Sequence, residues 1–281
     1  MTSDQSRVRD ILGGRVAPAE PRPAATVMLL REHAAPSAVG RGELQVYLLR
    51  RNSSMPFAPG AYVFPGGGVD ERDADREVGW AGPAPREWAE RLGTTEGLAR
   101  ALVCAAVRET FEESGVLLAG SSPDDADIVA DTRGAGWEAD RRALLDRSLS
   151  FAEFLDKRRL VIRSDLLRLW SQWITPKVER RRYDTRFFAA ALPVGQQTRD
   201  VGGEADRVTW MRPADAVAGW ERGELPMLPP TVSTCKDLAA CGTLAAVLSA
   251  DRGEVRPVEP ELREIGGEYR LVVPDGVDYP L

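Results

Sequence analysis

The chain has 281 residues, enough to bury a sizeable core in one large domain or two small ones. Its 43% apolar and 28% charged residues are those of an ordinary soluble globular protein, and a net charge of −6 argues against non-specific nucleic-acid binding. No N-terminal charged-then-apolar signal and no apolar run of about 18 residues is present, so neither a leader nor a membrane span is expected, and the expected location is the cytoplasm. Cys104, Cys235 and Cys241 follow no zinc or CxxC spacing and read as buried reduced thiols. The single histidine, His33, falls in a predicted loop, which excludes a Ser-His-Asp system and a His-rich metal site.

Residues 1–23 are polar and Pro-containing and read as a flexible arm. Residues 24–30 and 44–49 are apolar runs that predict two strands, able to pair as a hairpin across a long loop. A Pro-punctuated loop over 50–60 leads to a short strand at 61–64, ended by Pro65 and by Gly66, Gly67 and Gly68. Three glycines let the backbone approach another group closely; a plain tight turn is the simpler alternative. Residues 69–93 are charged, with a short helix near 86–92.

Thr94 or Thr95 then caps a long helix that Gly115 closes at its C′ position. Val103, Val107 and Phe111 recur at i, i+4, i+8 and form one apolar stripe. Glu109, Glu112 and Glu113 cluster within one turn on the other side. Like charges at that spacing destabilise a helix by about 0.2–0.5 kcal/mol per pair and crowd the negative end of the helix dipole. A solvated acidic turn is the bland explanation. A bound hard cation is the functional one, because it takes carboxylate and phosphate oxygens.

Helical periodicity over 134–168 predicts a helical insertion serving as a lid, a homodimer surface or a passive decoration. Strands follow at 170–175, 183–192 and 204–211, then helices at 213–222 and about 232–249. Residues 261–265 and 268–273, around Gly266 and Gly267, predict a terminal hairpin. With no internal repeat and no long low-complexity linker, the organisation expected is one elaborated domain over 24–250 and an extension over 251–281.

The run Arg108-Glu109-Thr110-Phe111-Glu112-Glu113-Ser114-Gly115-Val116 resembles the core of the Nudix box, and Phe64-Pro65-Gly66-Gly67-Gly68 resembles the glycine-rich strand end before it. The usual box carries a Glu eight residues before its Arg; that position is Arg100 here, with Asp70, Glu71 or Glu96 as stand-ins. About thirty residues separate the glycines from the helix, where the family has only a few. An insertion there is similar to the peroxisomal coenzyme A diphosphatase branch. So are Trp173-Ile174-Thr175-Pro176, the segment from Arg182 to Phe188, and Pro229-Pro230-Thr231.

The resemblance implies an α+β Nudix fold, a mixed sheet between helices, with insertions at about 69–93 and 120–168. It implies a Mg²⁺- or Mn²⁺-dependent pyrophosphohydrolase acting on a small nucleotide diphosphate, coenzyme A or an acyl-CoA first, with NADH, ADP-ribose or a dinucleotide as alternatives. A catalytically weak nucleotide-binding module is the reading of another class, kept open by Arg100. Glu109, Glu112 and Glu113 become metal ligands; Arg108 orients a carboxylate; Glu109 or Glu204 is the general base. Gly66, Gly67, Gly68, Arg50, Arg182 and Arg186 become substrate contacts. Arg180 and Arg181 join Arg182 and Arg186 in a basic cluster that suits a phosphate or is a solubilising rim. Phe57, Tyr62 and Trp173 are candidates to stack on adenine or belong to the core.

Overall fold

The two apolar runs near the N-terminus become the centre of a sheet in the computed structural model, which describes residues 3–33, 42–55, 58–74, 78–123, 127–199, 205–266 and 268–273. Helix α1 (Ser3–Leu12) precedes strands β1 (Arg22–His33), β2 (Glu43–Arg51), β3 (Tyr62–Val63) and β4 (Gly66–Gly68). A 3₁₀ turn (Glu71–Ala74), β5 (Trp80–Ala81) and α2 (Pro85–Leu92) lead to α3 (Glu96–Ser114). Next come β6 (Ala119–Gly120), α4 (Ala135–Leu145), α5 (Phe151–Arg158) and β7 (Val161–Arg163). The chain continues through β8 (Arg168–Ile174), β9 (Tyr183–Ala191), β10 (Ala205–Met211), α6 (Pro213–Glu221), α7 (Pro229–Cys241) and α8 (Leu244–Ser249). It ends with β11 (Pro257–Val258), β12 (Glu261–Ile265) and β13 (Glu268–Val272).

The main sheet runs β10-β2-β1-β9-β8-β11, with β3 on β2 and β4 on β1. β1 pairs antiparallel with β2 and β4 but parallel with β9, so the sheet is mixed. One core cluster lies between the sheet and α2–α5, around Val27, Leu29, Leu102, Val107 and Phe188. The other lies under α6–α8, around Met28, Leu48, Trp170 and Val232. Registers align Gly67, Ala25, Arg186 and Gln172 in one row across β4, β1, β9 and β8.

Several elements differ from the sequence expectation. The arm contains α1, whose Ile11 is buried. His33 ends β1 opposite Glu43 instead of standing in a loop. The glycines after Pro65 form an edge-pairing strand, because an extended Gly backbone can donate to and accept from β1 like any other residue. The 134–168 stretch is not all helix: Leu160, Val161 and Ile162 are an apolar β-prone run, and β7 pairs with β5 and β6. That small sheet ties the two inserted segments together. The single late helix is broken at Gly242, left-handed at φ 73°, after which the Thr243 hydroxyl accepts from the Ala246 amide at 3.2 Å to start α8. In α3, Ala101, Cys104, Ala105 and Ala106 are as buried as Val103 and Val107, so the helix is enclosed all round in place of showing one apolar stripe. Its small side chains permit that enclosure.

Candidate active site

Thr95 caps α3 through its hydroxyl, which accepts from Leu98 N at 3.3 Å, and Gly115 closes the helix at φ 74°. Helical spacing carries Arg108, Glu109, Glu112 and Glu113 to the side facing β4. The fit is close: a Cβ on Gly67 would sit 2.6 Å from Cδ of Glu109, and one on Gly66 would sit 2.5 Å from the Ala25 carbonyl oxygen. Only glycine allows the carboxylate and the strand to approach this far. Glu113 accepts from the Gly66 amide at 2.8 Å, so the last acid of the cluster holds the glycine strand. The next glycine, Gly68, accepts at its carbonyl from Arg108 Nη2 at 3.1 Å.

Arg108 is the hub. Its Nε and Nη2 donate to the two oxygens of Asp73, both at 2.9 Å, in a fork. Its Nη1 donates to Glu109 Oε1 at 2.8 Å and reaches Glu112 Oε2 at 3.2 Å. The side chains of Asp73, Glu112, Arg108 and Glu109 are 1%, 8%, 12% and 13% exposed. Burial works against the Arg108 charge, but the bonds to Asp73 and the three carboxylate charges overcome it and hold its pKa above the ordinary value. Burial likewise lifts the Glu109 carboxyl to about 7 and raises Glu112, with Arg108 opposing in both.

Three buried carboxylates therefore share one guanidinium, an excess of negative charge that a cation would offset. The donors are all oxygen, as a hard divalent cation requires. Among the described residues no group of three or more His, Cys, Asp or Glu stands positioned to hold a metal. Glu109 and Glu112 are turned to Arg108, and Glu113 to Gly66. The donor chemistry fits such an ion once Glu109 and Glu112 exchange Arg108 Nη1 for it, while Asp73 keeps the other two nitrogens.

The glycine, arginine and glutamate pattern is thus one folded site, and its family is shown by comparison. The family model described as the NUDT19 Nudix domain matches residues 94–238, just over half of the chain. The chain belongs to the Nudix hydrolase family. It is 26% identical to the acyl-coenzyme A diphosphatase NUDT19 of Xenopus laevis over 223 residues, covering 67% of this chain and 58% of that protein. Against the Homo sapiens protein of the same name, identity is 29% over 244 residues, covering 72% and 62%. The chain thus spans about three fifths of the length of these curated relatives. A solved Nudix hydrolase from Alicyclobacillus acidocaldarius is 27% identical, superposes with a TM-score of 0.65, and is covered over 97% of its length by 83% of this chain.

Two residues of this Nudix site escape a reading of the box. Asp73, not Asp70, Glu71 or Glu96, takes Arg108, and Arg100 at the usual Glu position packs its guanidinium 5.3 Å from the Trp80 ring. Asp70 pairs with Arg72 instead. Arg141 of α4, 2% exposed, donates to the Glu112 carbonyl at 2.8 Å and pairs with Glu138 at 2.7 Å. The carbonyl is one of the four that α3 leaves unpaired at its end. The only sequence signal was the spacing Trp137, Arg141, Leu144 on one helical face.

Other expectations shift. Arg182 is buried and fully engaged, with the Thr175 carbonyl at 2.9 Å, the Ala19 carbonyl at 2.7 Å and Glu259 at 2.5 Å, so it frames the fold and offers no donor to a substrate. Arg186 lies buried in the Gly67 row and pairs with Asp184. Arg50 pairs with Asp206 at 2.6 Å across β2 and β10. Tyr62 and Trp173 are core residues. Glu204 and Phe57 lie outside the described residues. Cys104, Cys235 and Cys241 are free thiols, and burial pushes Cys235 up to about 12. No helix among the described residues is long and apolar enough to cross a membrane.

Proposed function

We propose that this chain hydrolyses the diphosphate of coenzyme A or an acyl-CoA, giving adenosine 3′,5′-bisphosphate and a 4′-phosphopantetheine product. The observation that carries the reading is the buried Arg108 hub with Glu109, Glu112 and Glu113 against the Gly66–Gly68 strand, in a chain similar to acyl-CoA diphosphatases. Glu109, Glu112 and Glu113 hold Mg²⁺ or Mn²⁺. When bound, the cation neutralises diphosphate charge and lowers the pKa of the attacking water.

The chain's own residues do the rest. Gly66, Gly67 and Gly68 bring the strand close enough for the diphosphate to lie over the carboxylate turn. Arg108, fixed by Asp73, holds Glu109 and Glu112 in register. Glu204 takes the proton from water as its oxygen attacks phosphorus and the bridging P–O bond breaks. Arg186 and Arg50 lie on strands beside the site and steady the departing phosphates. The Asp73 fork speaks for an active enzyme over a weakened module, because the Arg that the altered box appeared to leave without its acid has one.

The test is product identification by mass from coenzyme A, acyl-CoA, NADH, ADP-ribose and diadenosine polyphosphates, with Mg²⁺ and with Mn²⁺. Adenosine 3′,5′-bisphosphate from coenzyme A is the expected product. Turnover of other diphosphates alone would discard the coenzyme A assignment.

A further inference from the structure

A cavity of about 660 Å³ lies at the end of the sheet where β1 and β9 begin. Its wall includes Glu20, Arg22, Arg180, Arg181, Arg182 and Tyr183. The Arg182 charge is offset by Glu259. Arg22 and Arg181 are exposed, and among the described residues neither has a carboxylate partner. That is unusual in this molecule, where surface arginines such as Arg133, Arg212, Arg222 and Arg263 each pair with an acid two or three residues away. Glu20 is the one acid on this wall, in a chain whose net charge is −6. Uncompensated cations on a concave wall focus a positive potential and attract an anion.

The cavity is continuous with the carboxylate site through the strands. The Pro23 carbonyl accepts from Val69 N at 3.0 Å, and Val69 follows Gly68, whose own carbonyl is held by Arg108. Ala25 stands opposite Gly67, the glycine against Glu109. From Ala25 to Arg22 is three residues of strand, roughly 10 Å. A flexible arginine side chain shortens that gap to the reach of a phosphate carried on the sugar beside a diphosphate.

We propose that this cavity seats a phosphate monoester of the substrate, held by the guanidinium groups of Arg22 and Arg181, and so selects a ribose 3′-phosphate next to the diphosphate being cleaved. The proposal rests on the diphosphatase reading of the carboxylate site. Arg182 contributes as the fixed wall that sets the neighbouring Arg181 at the rim. Arginine suits the task, since its planar donors match phosphate oxygens two at a time.

The experiment compares coenzyme A with its 3′-dephospho form. The unmodified protein should favour coenzyme A by roughly tenfold in kcat/KM. In the double variant Arg22→Gln, Arg181→Gln that ratio should fall to near one, with the single variant Arg181→Lys in between. Both side chains are exposed, so an unchanged melting temperature is expected and checks the fold. A preference absent from the unmodified protein, or undiminished in the double variant, overturns the proposal. Calorimetric titration with adenosine 3′,5′-bisphosphate and with AMP separates this inference from the reading beneath it. If neither coenzyme form is cleaved, the diphosphatase reading fails. Tighter binding of the bisphosphate that the double variant abolishes would still support the subsite, and equal binding of the two nucleotides would overturn it.

Discussion

Asp73 shows how much one carboxylate can decide. It is almost completely buried, and its two oxygens carry two of the three Arg108 nitrogens. Removing one partner of a buried pair leaves an uncompensated charge, so Asp73→Ala should cost about 3–5 kcal/mol in urea unfolding. It should also lower metal-dependent turnover about 10–100-fold by letting Arg108 compete for Glu109 and Glu112; Asp73→Glu should recover part of both. Glu112→Gln should reduce turnover by at least about 100-fold with little change in stability, and full metal-dependent activity in that variant would remove Glu112 from the ligand set. Gly67→Ala tests position alone. Its new methyl would meet the Glu109 carboxylate at 2.6 Å from Cδ, and a displacement near 1 Å can cost about 100-fold in rate.

The element that matters most is α3, and its C-terminal turn is finished by another element. Arg141 reaches from α4 to the Glu112 carbonyl while Glu138 holds the guanidinium. Arg141→Met should destabilise the protein by about 3 kcal/mol, read by urea unfolding, because the carbonyl and Glu138 both lose a buried partner. The same cluster predicts an acid response. Hydrogen bonds from Arg141 and Arg142 hold the Glu138 carboxyl at about 2, below its usual 4.5. Its folded pKa is depressed, so its stabilisation is complete above the unfolded value and is lost as pH falls from 4.5 through 2. Urea midpoints over that window should fall less steeply in Arg141→Met than in the unmodified protein.

At the scale of the whole molecule, the segment after α3 is part of the core. Phe154 of α5 stacks on Phe111 of α3 with centroids 5.2 Å apart and meets Trp137 of α4 edge-on at 6.2 Å. Phe154→Ala should cost about 3–5 kcal/mol, and calorimetry should show this segment and the sheet unfolding in one transition; a separate early transition would make it a removable lid. Much of this was legible beforehand. The apolar runs placed β1, β2, β8 and β9, Thr95 and Gly115 bounded α3, and the box residues with the glycines picked out the carboxylate site, because strand period, helix caps and local spacing are written in neighbouring residues. Only the folded chain could decide which acid meets Arg108, since Asp73 lies 35 residues away in a segment rich in acids. It also decided that Arg141 is buried while its neighbour Arg142 is exposed, and that Arg182 turns inward to Ala19 and Glu259. Those outcomes depend on contacts between segments distant in sequence, where burial selects one charged residue among many similar ones, and no local pattern encodes that choice.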